Sequence, residues 1–512
     1  MRVRALGHAG LELTYNGDRV LCDPWFSPEG AFQGSWFQFP ENQHLLTSEL
    51  VNPTAIVISH EHMDHVDPWF LARVPSHVPV IVPRYPSPVL RHKVLSAGER
   101  PIVELDSWQR YEVAPGVQVF FVSEESPMNH DSAMVLTAGG RSLLNMNDAR
   151  LFASQLRNVR AEVGGTVDVL ALQGAGASWY PMCYDYPEDR MVELCVQKRV
   201  AKLRYVQRVI KVVEPLMSLP FAGPPCFLDA DLFQHNQQLG DLGIFPDQFQ
   251  VARWLGEHGI DTSILLPGDT WDAAQLVKEP SPMWDGYGEG DQKDYLISYQ
   301  GRRREQVAAV KARYPVPSNS LWPAFEDYFA QVLTMSDYFN EKIGFRVGFD
   351  IKGPGGGNWA VDFRPGDLGI YQNLGDCQYL YRFDSRWLPP ILEDRVPWED
   401  FLLSLRFSAR RDPDVYSDHL LGLLKFARPD PLSAIEAYET QHETEETVEV
   451  QIDGKTYRIQ RYCPHAGQDL RETGELLSGG ILRCLGHNYE FDLATGQCLN
   501  GHTRPIRTEL IT

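Results

Sequence analysis

Six residues that follow one apolar strand restrict this chain more than any other stretch of it. Thr54-Ala55-Ile56-Val57-Ile58-Ser59 reads as a short buried strand, and directly after it stand His60, Glu61, His62, Met63, Asp64 and His65. Neutral imidazoles at i and i+2, followed by a carboxylate and a third imidazole, form a loop whose side chains can converge on two adjacent cations. A lone histidine in such a loop is ordinarily structural. Three of them with an aspartate in six residues point to metal, and His60, His62, Asp64 and His65 are the expected ligands.

A second constellation lies near the C-terminus. Cys463-Pro464-His465 is followed, after eighteen intervening residues, by Cys484-Leu485-Gly486-His487. Two cysteines and two histidines paired within short loops can bind zinc or a 2Fe-2S cluster. A structural zinc ribbon would favour Cys-x-x-Cys knuckles. One thiolate and one imidazole per loop instead suit a cluster in which Cys463 and Cys484 hold one iron while His465 and His487 hold the other. Imidazole in place of thiolate raises the reduction potential, which suits an electron relay towards an oxygen-activating metal.

Length and patterning set these motifs in context. The 512 residues, 43% of them hydrophobic, exceed one compact core and predict several domains. Short β segments fill the first 150 residues: 2–6, 11–15, 19–22, 55–59, 78–82, 117–122, 133–136 and 142–146. A charged, apolar-periodic stretch from Met191 to Val213 predicts a long helix, and Ser263 to Leu266 a further strand. Residues from about 286 to 440 are mixed, with helices expected at 324–334 and 398–407 and a glycine turn at 353–357, which lacks the Gly-Lys-Ser/Thr ending of a phosphate cradle. The polar run 441–447 leads into an alternating hairpin with Asp453-Gly454 at its turn, the start of a new β domain. The expected division is 1–285, 286–440 and 441–512.

Charge and cysteine usage exclude several classes. Lys and Arg total 47 against 68 Asp and Glu, a net charge of −21 that repels a phosphate backbone, so no nucleic-acid partner is expected. Eight cysteines are too sparse for a disulfide scaffold. Neither a run of 18 apolar residues nor a signal-peptide h-region is found, so a cytoplasmic protein without membrane attachment is expected.

Residues 448–510 resemble the Rieske family, through the hairpin, CPHAGQDL, Gly479-Gly480 and CLGHNYEFDLATGQCLNG. The 60–65 loop matches the His-x-His-x-Asp-His motif of the metallo-β-lactamase superfamily, and Leu6-Gly7-His8-Ala9-Gly10 and Cys22-Asp23-Pro24-Trp25 look like one of its subgroups. That resemblance implies an αββα sandwich, and hence an α+β multidomain chain with a mixed middle domain and a small all-β Rieske domain. It also implies that His60 and His62 share one metal with a later histidine, His130, that Asp64 and His65 hold the second, and that Asp148 bridges. Hydrolytic members supply one more histidine from a later strand; here the stretch 218–229 has none, and Asp229 is the expected substitute, ahead of His235 and Asp269. Asp131 is a candidate outer carboxylate for His130.

Further landmarks, Gln173 to Pro181, Pro220-Phe221-Ala222-Gly223 and Leu266-Pro267-Gly268-Asp269, resemble the CMP-N-acetylneuraminate hydroxylase family, which combines the same two domains in the opposite order. The implied activity is that of a non-haem iron monooxygenase, hydroxylating or N-oxygenating a small molecule. Its cofactors are a 2Fe-2S cluster and iron, two ions if the site is diiron, with zinc as the alternative metal. A ferredoxin or cytochrome with its reductase would supply electrons, and a homo-oligomer is left open. The rival readings are a dinuclear metallo-hydrolase with a regulatory Rieske domain, and a non-catalytic redox protein.

Overall fold

The computed structural model describes residues 1–176, 178–236, 243–414, 416–441, 445–464, 467–485, 489–500 and 505–512. Its N-terminal part is built on two facing sheets. The first has eight strands, in the order Val277–Glu279, Thr270–Asp272, Arg2–Gly7, Gly10–Tyr15, Asp18–Cys22, Ala55–Val57, Val80–Pro83 and Ile102–Leu105. The second has six, in the order Met217–Phe221, Val169–Gln173, Arg141–Asn145, Ser132–Ala138, Val117–Ser123 and Tyr111–Ala114.

Alternation along the strands explains the layering. Val20 and Cys22 face inward with Val57, against Val119, Met134, Leu143 and Val169 of the second sheet. Leu21, Ile56 and Val80 face outward and are covered by Phe70, Leu71, Leu90 and Val94 of two short helices. The outer face of the second sheet, with Phe120, Leu144 and Leu170, is covered by Leu156, Val206 and Val251, which lie on the helices Ala153–Glu162, Glu188–Val213 and Gln248–Glu257. This is the expected αββα sandwich.

Turn chemistry fixes register at both ends of the chain. Asn16 and Gly17 adopt φ of 51° and 92°, closing a two-residue hairpin in which Tyr15 pairs with Asp18. Asp453 and Gly454, at 51° and 75°, do the same between Thr447–Ile452 and Lys455–Gln460. The C-terminal unit comprises two three-stranded sheets around Tyr457, Ile459, Leu482 and Phe491.

The middle segment forms a five-stranded sheet, in the order Gly369–Tyr371, Gly357–Asp362, Arg346–Lys352, Tyr379–Asp384 and Phe407–Arg411. It shares one buried cluster with the N-terminal part, in which Trp25, Phe32 and Trp36 join Phe325, Phe349 and Trp398. Trp25, Phe32 and Trp36 are therefore packing that ties two parts of the chain together.

Two expected elements differ. The predicted strand at 263–266 is irregular, because Leu266-Pro267-Gly268-Asp269 turns back on itself, with the Asp269 carboxylate accepting from Leu266 N at 2.9 Å. The predicted helix at 398–407 ends at Leu403, since Leu405 takes φ of 56° and Phe407 opens a strand. Among the described residues no helix is long and apolar enough to cross a membrane.

Candidate metal centre

Strand direction places the ligands. Asp18–Cys22, Ala55–Val57 and Val80–Pro83 run parallel, so Asp23 and the 59–65 loop emerge from the same edge. In the facing sheet, Ser132–Ala138 pairs antiparallel with Arg141–Asn145, which brings Asp131, before the first, beside Asp148, after the second. Loops beyond the carboxyl ends of parallel strands are the usual place for a site in sheets of this kind.

His60, His65 and Asp148 form one group with ligand atoms all within 4.8 Å; His60, His62 and Asp131 form a second, and His8, Asp64 and His65 a third. Because His60 and His65 are shared, the three groups make one continuous cluster. His60 Nε2 lies 2.8 Å from His62 Nδ1 and 3.6 Å from Asp131 Oδ1, and His65 Nε2 lies 3.3 Å from Asp148 Oδ1.

A shell of hydrogen bonds sets the rings. Asp23, fully buried, accepts from Ser59 N and Oγ at 2.8 and 2.6 Å and lies 2.8 Å from His65 Nδ1. An Nδ1–H given to Asp23 leaves His65 Nε2 as a lone pair facing the cluster, the usual way a carboxylate fixes a ligating imidazole. Ser59 Oγ holds His60 Nδ1 at 2.8 Å. His8, from the turn after the first strand, sets its Nε2 2.8 Å from Asp64 Oδ2.

The electrostatics demand positive charge. Burial pushes the His65 imidazole towards neutrality, yet Asp64, Asp148 and Asp23 together hold it well above the usual histidine range. Burial likewise opposes ionisation of Asp64, but His65 and His8 keep its carboxyl well below the ordinary value. Asp64 Oδ1, Asp131 Oδ1 and His65 Nε2 are buried with no hydrogen-bond partner. Buried polar atoms are normally satisfied, so orphaned oxygens and a ring nitrogen in one anionic cluster fit a metal.

The middle segment closes the cluster. Glu399 Oε2 lies 3.3 Å from His62 Nε2, and its other oxygen pairs with Lys425 at 3.0 Å. Burial lowers the tendency of His62 to ionise, but Glu399 outweighs it and raises the pKa to about 9. Lys93, from the helix after the third parallel strand, reaches Asp400 at 2.8 Å and the Glu61 carbonyl at 2.7 Å. Nothing in the spacing of Glu399 or Lys425 marks them in sequence, because a single acid and a single base on separate helices carry no local pattern.

At the other centre, Cys463 and Cys484 are buried, 3% and 1% exposed, within the C-terminal β unit, and neither forms a disulfide. Buried thiols on two adjoining loops fit thiolate ligation of a cluster. His465 and His487 lie outside the described residues. Residues 18–212 match the β-lactamase superfamily domain and residues 430–508 the Rieske 2Fe-2S domain. The chain joins a metallo-β-lactamase-fold domain to a Rieske domain.

Relatives match this chain over differing shares of its length. A protein of Mycolicibacterium smegmatis named as a Rieske 2Fe-2S iron-sulfur protein is 29% identical over 527 residues, covering 99% of this chain and 100% of its own. The cytidine monophosphate-N-acetylneuraminic acid hydroxylase of Pongo pygmaeus is 22% identical over 447 residues, covering 81% of this chain and 71% of its own. Among solved structures, the diiron β-hydroxylase CmlA of Streptomyces venezuelae matches at 19% identity and a TM-score of 0.34, over 52% of each chain.

Within the metallo-β-lactamase-fold domain, the structure brings His60, His62, Asp64, His65 and Asp148 into one cluster. Asp131 joins His60 and His62, and His130 is in none of the three groups. His130 is stacked on Tyr85 with ring centroids 4.7 Å apart and turns Nδ1 to Glu61 Oε1 at 3.1 Å, while Asp131 enters the cluster. Asp229, the expected substitute ligand, is in none of these groups among the described residues; its carboxylate is held by Arg406 at 2.7 Å and Lys311 at 3.5 Å. His235 packs edge-on against Phe227, and Asp269 caps its own turn. His8 was not expected as part of the cluster; its place in a Gly-His turn was the only signal.

Proposed function

We propose that the chain is an O2-dependent monooxygenase that hydroxylates or N-oxygenates a small molecule, with electrons reaching its metallo-β-lactamase-fold centre through its own Rieske domain. One observation carries this reading. A cavity of about 560 Å³ is lined by His62, Asp131 and Asp148 from the metal cluster and also by Tyr489, Leu499 and Asn500 from the Rieske domain. That volume suits a small-molecule ligand, and a hydrolase has no use for an electron relay beside its substrate space. The hydroxylase name of the Pongo pygmaeus relative supports the same reading.

The residues proposed to hold metal are His60, His62, Asp64, His65, Asp131 and Asp148, with Cys463, His465, Cys484 and His487 for the cluster. Mixed imidazole and carboxylate ligation suits iron, two ions in this proposal, with zinc as the hydrolytic alternative. When bound, iron supplies the O2 chemistry and the cluster supplies single electrons, delivered in turn by a ferredoxin or cytochrome with its reductase.

The rest is done by the chain. Asp23 and Ser59 keep Nδ1 of His65 and His60 occupied, so that the opposite nitrogens face the cluster. Glu399 and Lys425 place a balanced ion pair against His62, holding the ring without adding net charge. His60, His65 and Asp64, exposed by 1%, 1% and 3%, keep bulk water from the cluster.

Contacts favour transfer within one chain. Arg208 donates to the Leu485 carbonyl at 2.6 Å, beside Cys484, and Arg157 pairs with Glu472 at 2.8 Å. The Tyr489 hydroxyl lies 3.3 Å from Asp418 Oδ2, at the start of the Asp418–Phe426 helix. Seven residues on, about 10 Å along that helix, Lys425 meets Glu399 against His62.

The test is Cys463→Ser. The variant should lose the cluster, keep the metals of the N-terminal centre, and lose reductant-driven O2 consumption. Unchanged O2 consumption would remove the relay role and return the hydrolase reading.

A further inference from the structure

The long helix Glu188–Val213 presents Leu194, Lys198, Lys202, Tyr205 and Val209 to the cavity, one stripe at intervals of three and four residues. Lys198 and Lys202 sit one turn apart on that stripe. Like charges at this spacing repel and weaken a helix, and burial makes the repulsion worse. A third cation joins them: a methyl group placed at Gly176 would lie 3.7 Å from Lys202 Nζ and 3.9 Å from the Arg150 guanidinium.

Compensation is incomplete. Lys202 Nζ donates to the carbonyls of Gly176 and Ile244 at 3.0 and 2.9 Å. Among the described residues, neither Lys198 nor Arg150 has a carboxylate within 4.0 Å of its side-chain nitrogens. The nearby charges that act on Lys198 are themselves cationic, Arg150 and Arg411. Arg411 already pairs with Asp414 at 2.8 Å and lies 4.7 Å over the Tyr180 ring, which Lys198 also faces at 5.7 Å. In a chain of net charge −21, Arg150, Lys198 and Lys202 gather three basic groups on one cavity wall, although burial holds the Lys202 amine well below the ordinary lysine range and Asp148 lies nearby. Such a wall attracts and holds an anion.

We propose that Arg150, Lys198 and Lys202 form an oxyanion-binding subsite, which holds a phosphate or carboxylate group of the substrate while the remainder of the molecule reaches the His60–Asp148 cluster through the same cavity. This rests on the monooxygenase reading for the word substrate. The subsite itself is a property of the cavity and is tested without turnover.

The experiment is equilibrium binding of inorganic phosphate, and separately of acetate, to the metal-loaded full chain at fixed ionic strength, by calorimetry. Variants are Arg150→Gln and Lys198→Met, with Arg150→Lys and Lys198→Arg as charge-keeping partners; circular dichroism and metal content verify each. The expected result is saturable binding of at least one anion, weakened about tenfold or more by either neutral variant and largely kept by the charge-keeping ones. Preference between the two probes distinguishes a phosphate-bearing from a carboxylate-bearing ligand. No saturable binding of either anion would overturn the subsite, as would equal binding by folded neutral variants or binding that disappears only when the N-terminal metals are removed. Loss of O2 consumption in Cys463→Ser has no bearing on this outcome, so the two readings fail separately.

Discussion

Tyr489 of the Rieske domain lies with its hydroxyl 3.3 Å from Asp418, and the helix that begins at Asp418 carries Lys425 to Glu399 and so to His62. Tyr489→Phe removes this contact and leaves every proposed metal ligand in place. The cluster, reduced anaerobically and then exposed to O2, should reoxidise about tenfold more slowly than in the parent protein, which corresponds to about 1.4 kcal/mol on the barrier. Stopped-flow absorption of the cluster reads this directly. An unchanged rate would detach this contact from electron delivery.

Asp131 and Asp229 make opposite predictions. Asp131→Asn should lower metal occupancy at the N-terminal centre, because an amide cannot replace a carboxylate next to His60 and His62. Asp229→Asn should leave occupancy unchanged and lower stability by about 3–5 kcal/mol, the cost of leaving a buried partner such as Arg406 without its counter-charge. Metal analysis and denaturant unfolding separate the two. Metal loss in Asp229→Asn would restore it as a ligand.

These two residues also mark how far the sequence could be read. The His60–His65 loop and the paired Cys463 and Cys484 loops declare themselves because their ligands are neighbours in the chain, and the strands and long helix around them follow period 2 and period 3.6. His130 and Asp131 stand side by side, so spacing alone cannot decide which of them joins the cluster; the family pattern favours histidine, whereas Asp131 groups with His60 and His62, and His130 stacks on Tyr85 and meets Glu61 through Nδ1. Asp229 followed from a missing histidine, and only the fold shows Arg406, 177 residues later, claiming it. Glu399, Lys425 and the cation wall were invisible for the same reason: they are assembled from distant segments.

Asp23→Asn tests the support of His65. The amide accepts a weaker hydrogen bond from Nδ1–H, so His65 loses the carboxylate that orients it. Metal affinity at the N-terminal centre should fall about 10–100-fold, the usual effect of removing such a partner, as measured by competition with a chelator. Retention of parent affinity would show that Ser59 and packing suffice.

Anion binding should depend on pH through Lys198. Burial, followed by the charges of Arg150 and Arg411, lowers its pKa from 10.5 to about 8; Tyr180, Lys202 and the Arg411–Asp414 pair are the other groups facing it. The ammonium is therefore about half lost at pH 8, and is lost further as pH rises. A bound oxyanion favours the charged form, so phosphate affinity should fall above about pH 8 and binding there should be accompanied by proton uptake. Lys198→Met should abolish that part of the pH dependence; a profile identical in the variant would contradict it.

The central claim, two metal centres acting as one oxygenase, is tested most directly by metal content read together with the electron paramagnetic resonance of the reduced protein. The account predicts about four irons per chain, two of them in a cluster with the Rieske signature, and loss of that signal on admission of O2. Two zinc ions and no cluster, or a cluster that stays reduced under O2, would contradict it.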